Sequence, residues 1–225
     1  MTNNDALKGM GRKYLLLALG ALAGLGLEFV VIGLGYLVFG EIPGFRSPHW
    51  QLILHWTVTC LAWSGAAVLL VRLAKTKMGF DIFKKGEKMK LWQWGAAALA
   101  IALSVVISYI GWHMNFKVVR EFQANGALRF AFQYLYYMVE TVLFLLIIVF
   151  GQKALESWTK RTNIPWGGII CGLTWGIAHI ISRGFFDPAN GISSAIGGFM
   201  FGAAYLLVNR DIKKAWAVLF LMFVL

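Results

Sequence analysis

Four ionisable side chains interrupt the long apolar runs of this 225-residue sequence: Glu28, His55, Glu140 and His179. On insertion scales a charged group at the centre of a bilayer costs about 3 kcal/mol, so each of the four is a candidate for function. Depth follows from a rise of ~1.5 Å per helical residue, counted from the nearer basic end of each run. On that count Glu140 lies ~16 Å deep, His179 ~21 Å and Glu28 ~22 Å, and close packing would bring all three into one layer. His55, at ~25 Å, lies nearer the far surface and could simply reach the interface. A carboxylate in hydrocarbon must be neutralised or paired. A neighbouring histidine can share its proton, or the two can hold a divalent metal such as zinc. Either arrangement can activate a water for attack on a peptide carbonyl. The plainer alternative is an interhelical hydrogen bond that fixes packing.

The elements that must position these groups are membrane helices. The chain is 59% hydrophobic and 14% charged, well short of the roughly 25% charged residues of a soluble domain. Six runs approach the ~20 apolar residues needed to cross ~30 Å of hydrocarbon: residues 14–39, 50–71, 91–112, 130–150, 166–181 and 192–208. The last two are short and glycine-rich. A seventh run, 215–225, rises only ~16 Å and reads as a half-helix or one the chain leaves short. The expected fold is an all-α integral membrane protein: a polytopic bundle of six spanning helices plus a short C-terminal membrane segment.

The net charge of +11 does not indicate nucleic acid, because the basic residues sit between apolar runs. Of the 21 Lys and Arg, three precede the first run, seven follow the second, three follow the fourth and three follow the sixth. Those sixteen share one side, and the positive-inside rule places that side, with the N-terminus, in the cytoplasm. Trp50, Trp92, Trp94, Trp112, Trp158 and Trp166 fall near run ends, as interfacial anchors do. The first run is far longer than the about 7–15 apolar residues of a signal peptide and reads as a permanent span. No lipidation motif is present.

One membrane domain, 1–225, is the simplest organisation, with N-terminal spans and loops over 14–129 and a core over 130–225. The basic segment 75–90 reads as a topology signal that could also recruit anionic lipid or an acidic partner. Segment 115–133 is amphipathic and broken at Asn125-Gly126, a turn pair. It reads as a surface helix, or one lying in the interface or entering part-way. Segment 183–190 reads as a tight connection turned by Asp187-Pro188. Gly20/Gly24, Gly172/Gly176 and Gly198/Gly202 have the four-residue spacing that lets membrane helices approach. Cys60 and Cys171 read as small packing residues within spans.

Over roughly residues 132–225 the order and spacing of motifs resemble the CPBP (Abi) family of intramembrane proteases, which includes the type II CAAX prenyl endopeptidases. The family's first motif is Glu-Glu-x-x-x-Arg, often with Phe before the Arg. Here Glu140 and Phe144 match, while Thr141 and Leu145 stand in for the second Glu and the Arg. The second motif, Phe-x-x-x-His, corresponds to Trp175 through His179. The third, His-x-x-x-Asn or Asp, has no counterpart in the last run. The resemblance implies Glu140 as the water-activating carboxylate and His179 as a ligand or orienting group. Both would be the metal-binding candidates if a divalent metal such as zinc is the cofactor, and Phe144 and Trp175 would be the substrate-contacting candidates. Glu28 is a substitute third group by depth.

Three functions follow as expectations. The first is a catalytically impaired family member, a pseudoenzyme in a bacterial cell membrane, acting in regulation, bacteriocin immunity or the binding of a membrane-protein partner. The second is an active endopeptidase that uses Glu140 and His179 on a peptide substrate. The third is a small transporter, although no inverted repeat is evident. The lipid bilayer is a partner in every case.

Overall fold

The computed structural model describes residues 3–44, 46–182 and 188–225. Most of the 183–190 connection therefore lies outside the described residues. Seven helices follow one another: α1 (Asn3–Phe39), α2 (His49–Met78), α3 (Leu91–Gly111), α4 (Lys117–Thr159), α5 (Trp166–Ser182), α6 (Pro188–Leu207) and α7 (Ile212–Val224). No strand occurs among the described residues. Four helices are long and apolar enough to cross a membrane: α1 over Leu7–Phe39, α2, α3 and α4. Helix α5 is apolar but has 17 residues, a rise of ~25 Å. Helix α6 has 20 residues, but Asn190, Ser193, Ser194 and four glycines dilute its hydropathy. Helix α7 has 13 residues.

Helix ends follow local chemistry. Helix α2 runs on past its apolar stretch through Lys75 and Lys77, because nothing breaks it before Gly79. Gly79 takes the left-handed conformation (φ 66°) that glycine adopts freely, and the N–H groups of Gly79 and Phe80 close on the carbonyls of Lys75 and Ala74. Asp211 caps α7 by accepting from the N–H groups of Lys213 and Lys214, each at 3.2 Å. At the start of α3 the Gln93 side chain accepts from the Lys90 N–H (2.8 Å) and donates to the Leu207 carbonyl (2.7 Å) and to Asn209 Oδ1 (2.8 Å). That one residue pins α3 to the α6–α7 turn.

Helix α4 is the hub. From residue 143 to residue 150 every side chain is at most 2% exposed. A helix apolar all round must be surrounded, and α1, α2, α5, α6 and α7 all pack on it. Helices α5 and α6 form the most extensive pair. Helix α3 is peripheral, with only Gln93 and Ala97 buried. Its Leu99, Leu103, Val106, Ile107 and Ile110 lie exposed, as do Leu34, Leu37 and Val38 of α1 and Leu173, Ile177 and Ile181 of α5. Apolar surface on this scale suits hydrocarbon rather than water.

Just beyond α2, the Lys75 ammonium lies 3.1 Å from Asp81 Oδ2, and the Phe83 N–H donates to Asp81 Oδ1 at 3.0 Å. The hydrogen bond from Lys75, then that from Phe83, hold the Asp81 carboxyl below its ordinary pKa. The resulting stabilisation is fully present above the usual carboxylate range and is lost as pH falls through the lower folded value. Both side chains are exposed, so the effect is small. The stability difference between wild type and Asp81→Asn, followed from pH 7 down to pH 3, is expected to be slight at neutrality and to vanish in acid. A difference that grows in acid would contradict this assignment.

Candidate functional site

The site begins with a sharp bend in α4. Gly126 has φ 66° and ψ 171°, outside the helical region. The consequence is read from partners on either side. Glu121 and Tyr137 are sixteen residues apart, ~24 Å along a straight helix, yet the Tyr137 hydroxyl donates to Glu121 Oε1 at 2.9 Å. The arm before Gly126 therefore folds back onto the turns after it. Segment 115–133, read from sequence as a surface helix or one lying in the interface or entering part-way, supplies Lys117, Glu121 and Gln133 to a cavity wall.

The fold-back is held by a buried polar network. Tyr134 donates to Glu121 Oε2 (3.0 Å). Gln133 donates to Tyr137 Oη (2.7 Å) and Glu121 Oε1 (3.3 Å), and Asn125 donates to Gln133 Oε1 (2.6 Å). Glu121, Asn125 and Gln133 are all buried, so these bonds replace the water each group gives up. Lys117, one turn before Glu121, donates to the Phe223 carbonyl at 2.8 Å and lies 4.8 Å from the ring centroids of both Tyr137 and Phe223.

Helices α1 and α2 add the second wall. The Trp63 indole donates to the Leu25 carbonyl at 3.1 Å and fixes their register. One turn along α1, Glu28 Oε1 accepts from the Tyr136 hydroxyl at 2.7 Å and lies 3.5 Å from His55 Nε2. His55 stands near the end of α2 but does not simply reach the interface: it is 7% exposed and paired.

Helix α5 brings His179. Its Nδ1 lies 3.0 Å from the Trp175 carbonyl. A carbonyl only accepts, so this contact places the proton on Nδ1 and makes Nε2 the basic nitrogen of the neutral ring. The Trp175 ring sits among Phe144 (4.5 Å), Phe201 (5.6 Å) and Phe223 (5.8 Å).

These walls border an open cavity of about 520 Å³ lined by Glu28, His55, Glu140 and His179, with Lys117, Glu121, Gln133, Tyr136, Tyr137, Trp175 and Phe223 among its other walls. A second cavity of about 450 Å³, mostly apolar, runs between α1 and α5 past Leu22, Leu25 and Ala178. Glu28, Glu140, Trp175 and His179 line both cavities. All four ionisable residues singled out from the sequence thus share one chamber. Of the substrate-contacting candidates, Trp175 faces the chamber, whereas Phe144 is 2% exposed and lines only the apolar branch.

The positions flanking Glu140 are closed. Thr141 is fully buried and its hydroxyl bonds back to the carbonyls of Tyr137 and Met138. Leu145 lies in the hydrophobic core. Helix α7 brings Phe223 to the chamber. Among the described residues no three His, Cys, Asp or Glu side chains are grouped so as to hold a metal ion, whereas a catalytic zinc takes three protein ligands. Glu28, the substitute third group, is engaged by Tyr136 and His55. The described donors do not make up the three-ligand set of a catalytic zinc.

Sequence reasoning missed Lys117, Glu121, Gln133, Tyr136 and Tyr137. The signal was present: Lys117, Glu121 and Asn125 recur every four residues, and Gln133, Tyr136/Tyr137 and Glu140 recur every three or four. Each set marks one helical face. Compared with protein-family models, with curated proteins and with solved structures, the chain matches none.

Proposed function

We propose that this is a multi-pass membrane protein of the CPBP/Abi kind, crossing six times with a cytoplasmic N-terminus, whose chamber binds a peptide or membrane-protein segment without cleaving it. The observation that carries this reading is the gathering of Glu28, His55, Glu140 and His179 around one cavity. Four ionisable groups from four helices, His55 buried and the other three partly buried, are costly to place together within an apolar bundle, which argues for a site rather than for incidental packing. The loss of cleavage is supported by what surrounds Glu140: Thr141 and Leu145 occupy the core positions where the family carries charge, and α7 contributes Phe223. The orientation is supported by the sixteen basic residues that share one side. With that orientation the chamber opens toward the opposite side, where α1 ends and α4 begins.

A second reading, an active endopeptidase, is favoured by one feature. Glu140 makes no hydrogen bond or ion pair with any described residue, so its carboxylate can take a proton from water, and His179 lines the same chamber.

One experiment separates the two. A photoreactive benzoylphenylalanine replaces Trp112, which lines the chamber, and crosslinked segments from native membranes are identified by mass spectrometry. The binding reading expects the same full-length adduct in the otherwise wild-type chain and with Glu140→Gln/His179→Ala added. The endopeptidase reading expects shortened segments in the wild type and intact ones only in the double variant. No adduct in either would overturn both.

A further inference from the structure

We infer that a groove between α2, α4 and α7, at the basic end of the bundle, seats an anionic phospholipid, its acyl chain against the helices and its phosphate at Lys213. The groove shares no lining residue with the chamber.

Contacts between distant parts of the chain define that end. The Trp158 indole, near the end of α4, donates to the Lys8 carbonyl of α1. Arg210 of the α6–α7 turn donates to Glu156, and Gln93 at the start of α3 donates to Asn209. The Asn209 amide in turn donates to the carbonyls of Glu87 (3.3 Å) and Lys88 (3.2 Å). Basic segments scattered along the sequence therefore meet at one end, and segment 75–90 is fastened among them.

The first observation is the groove itself, an open cavity of about 440 Å³, within the roughly 300–1,000 Å³ of small-molecule sites. Arg210 meeting Glu156 and the Trp216 indole meeting the Met138 carbonyl (3.3 Å) set its direction. Residues 212–217 of α7 and 146–142 of α4 lead from the basic end into the apolar belt. Val71, Val142, Leu146 and Trp216 supply apolar walls, and Lys213 is the only charged residue among the described ones that line it. Ala217 and Phe83, also in the lining, are exposed, so the groove opens outward. Apolar walls open to the bilayer suit an acyl chain.

The second observation is the charge at the mouth. Lys213 is exposed and makes no ion pair with a described residue, whereas Lys214 is taken up by Asp211 (3.7 Å) and Lys75 by Asp81 (3.1 Å). Lys84 and Lys85 directly follow Phe83, are exposed, and likewise have no ion pair with a described residue. Buried Ile82 and the turn closed by the Lys84 N–H on the Asp81 carbonyl (3.3 Å) hold them beside the groove. Glu87, the remaining acid of segment 75–90, is exposed and does not line the groove.

One ligand answers both observations. Basic pockets between membrane helices bind anionic head groups, and a phosphate accepts charge-assisted hydrogen bonds from ammonium groups. A soluble acidic partner would meet the lysines and leave the apolar walls bare. A zwitterionic lipid would cover the walls and bring its own cation to the lysines.

The test uses the full-length protein, delipidated in mild detergent. It is titrated with dioleoyl phosphatidylglycerol and with dioleoyl phosphatidylcholine, which differ only in head group, and the first bound lipid is followed by native mass spectrometry. Phosphatidylglycerol is expected to bind wild type about tenfold tighter, and Lys213→Gln to reduce that preference roughly fivefold, the effect of one basic residue near the surface. Lys84→Gln/Lys85→Gln/Lys213→Gln should abolish the preference. Ala217→Trp, which fills the groove, should remove the tight phosphatidylglycerol altogether. Arg161→Gln removes the same charge from an exposed position at the same end, outside the groove, and should bind as wild type does. The comparison of the two lipids on wild type needs no variant to fold. Equal affinity for both lipids, or a preference that survives the triple lysine variant, would overturn the assignment. So would an equal loss in Arg161→Gln, which would mean that only the overall charge of this end matters. Displacement of the phosphatidylglycerol by a soluble hexaglutamate peptide would assign the lysines to an acidic protein partner instead.

Discussion

Gly202→Leu is expected to yield no correctly folded protein, and Gly202→Ala to lose about 1–3 kcal/mol of stability, the usual cost of overpacking a tight contact. The reason lies in how α5 and α6 meet. A Cβ at Gly202 would fall on the backbone N and Cα of Gly168. A Cβ at Gly198 would lie 2.6 Å from the Gly172 N, and one at Gly168 2.6 Å from the Phe199 carbonyl oxygen. These obstacles are backbone atoms and cannot rotate away as a side-chain tip can. Without a hydrophobic drive between helices in lipid, close backbone packing is itself what holds them together. Pushing α5 off α6 would also displace Trp175 and His179 from the chamber. Melting temperatures in detergent, followed by near-ultraviolet circular dichroism, provide the check. Gly65→Ala is the control, since nothing lies within 4 Å of its added Cβ. Gly202→Ala melting with wild type would show that the two helices can separate freely.

Gln152→Leu is expected to cost about 3 kcal/mol, from a buried donor and a buried acceptor left unpaired. Gln152 is 1% exposed. Its Oε1 accepts from the Gly167 N–H at 2.9 Å, and its Nε2 donates to the Ile164 carbonyl at 2.8 Å and to Glu156 Oε1 at 2.9 Å. The Gly167 N–H is one of the first in α5, a group that no earlier turn of that helix can satisfy. Gln152 thus caps α5 from the side of α4. Glu156 extends the link by accepting from Arg210 Nη2 at 2.6 Å, which reaches the α6–α7 turn. Leucine has similar bulk, so the loss would be of hydrogen bonds and not of volume. Unfolding in mixed micelles of graded denaturing detergent would measure it, and a change under about 1 kcal/mol would mean that water replaces the amide at that end of the bundle.

Much of this architecture was legible because it depends on local pattern. The apolar stretch around residues 143–150 could only be a buried or membrane helix, and Asn125-Gly126 marked the bend in α4. The small-residue spacing of α5 and α6 pointed to their contact. Glu28, Glu140 and His179 could be placed in one layer because depth is a matter of residue count. The direction of the bend was not legible. It depends on Glu121 meeting Tyr134 and Tyr137, and segment 115–133 has the same amphipathic pattern whether its polar face meets water or a polar interior. Position along α2 gave His55 an edge location, whereas its pairing comes from Glu28 on α1. The changes at Thr141 and Leu145 were visible as letters, but only the packing shows that both side chains close into the core.

The tie between Gln93 and the α6–α7 turn also sets an order of events during synthesis. The groups that fix the start of α3, the Leu207 carbonyl and the Asn209 side chain, are made more than a hundred residues after Gln93 itself. The Trp158 indole likewise reaches back 150 residues to the Lys8 carbonyl. Chains emerge from the ribosome N-terminus first at roughly 5–20 residues per second. At that pace the first turn of α3 is made roughly 6–23 s, ~115 residues, before the groups that anchor it. The start of α3 can therefore be fastened only after α6 and the turn that follows it have been made.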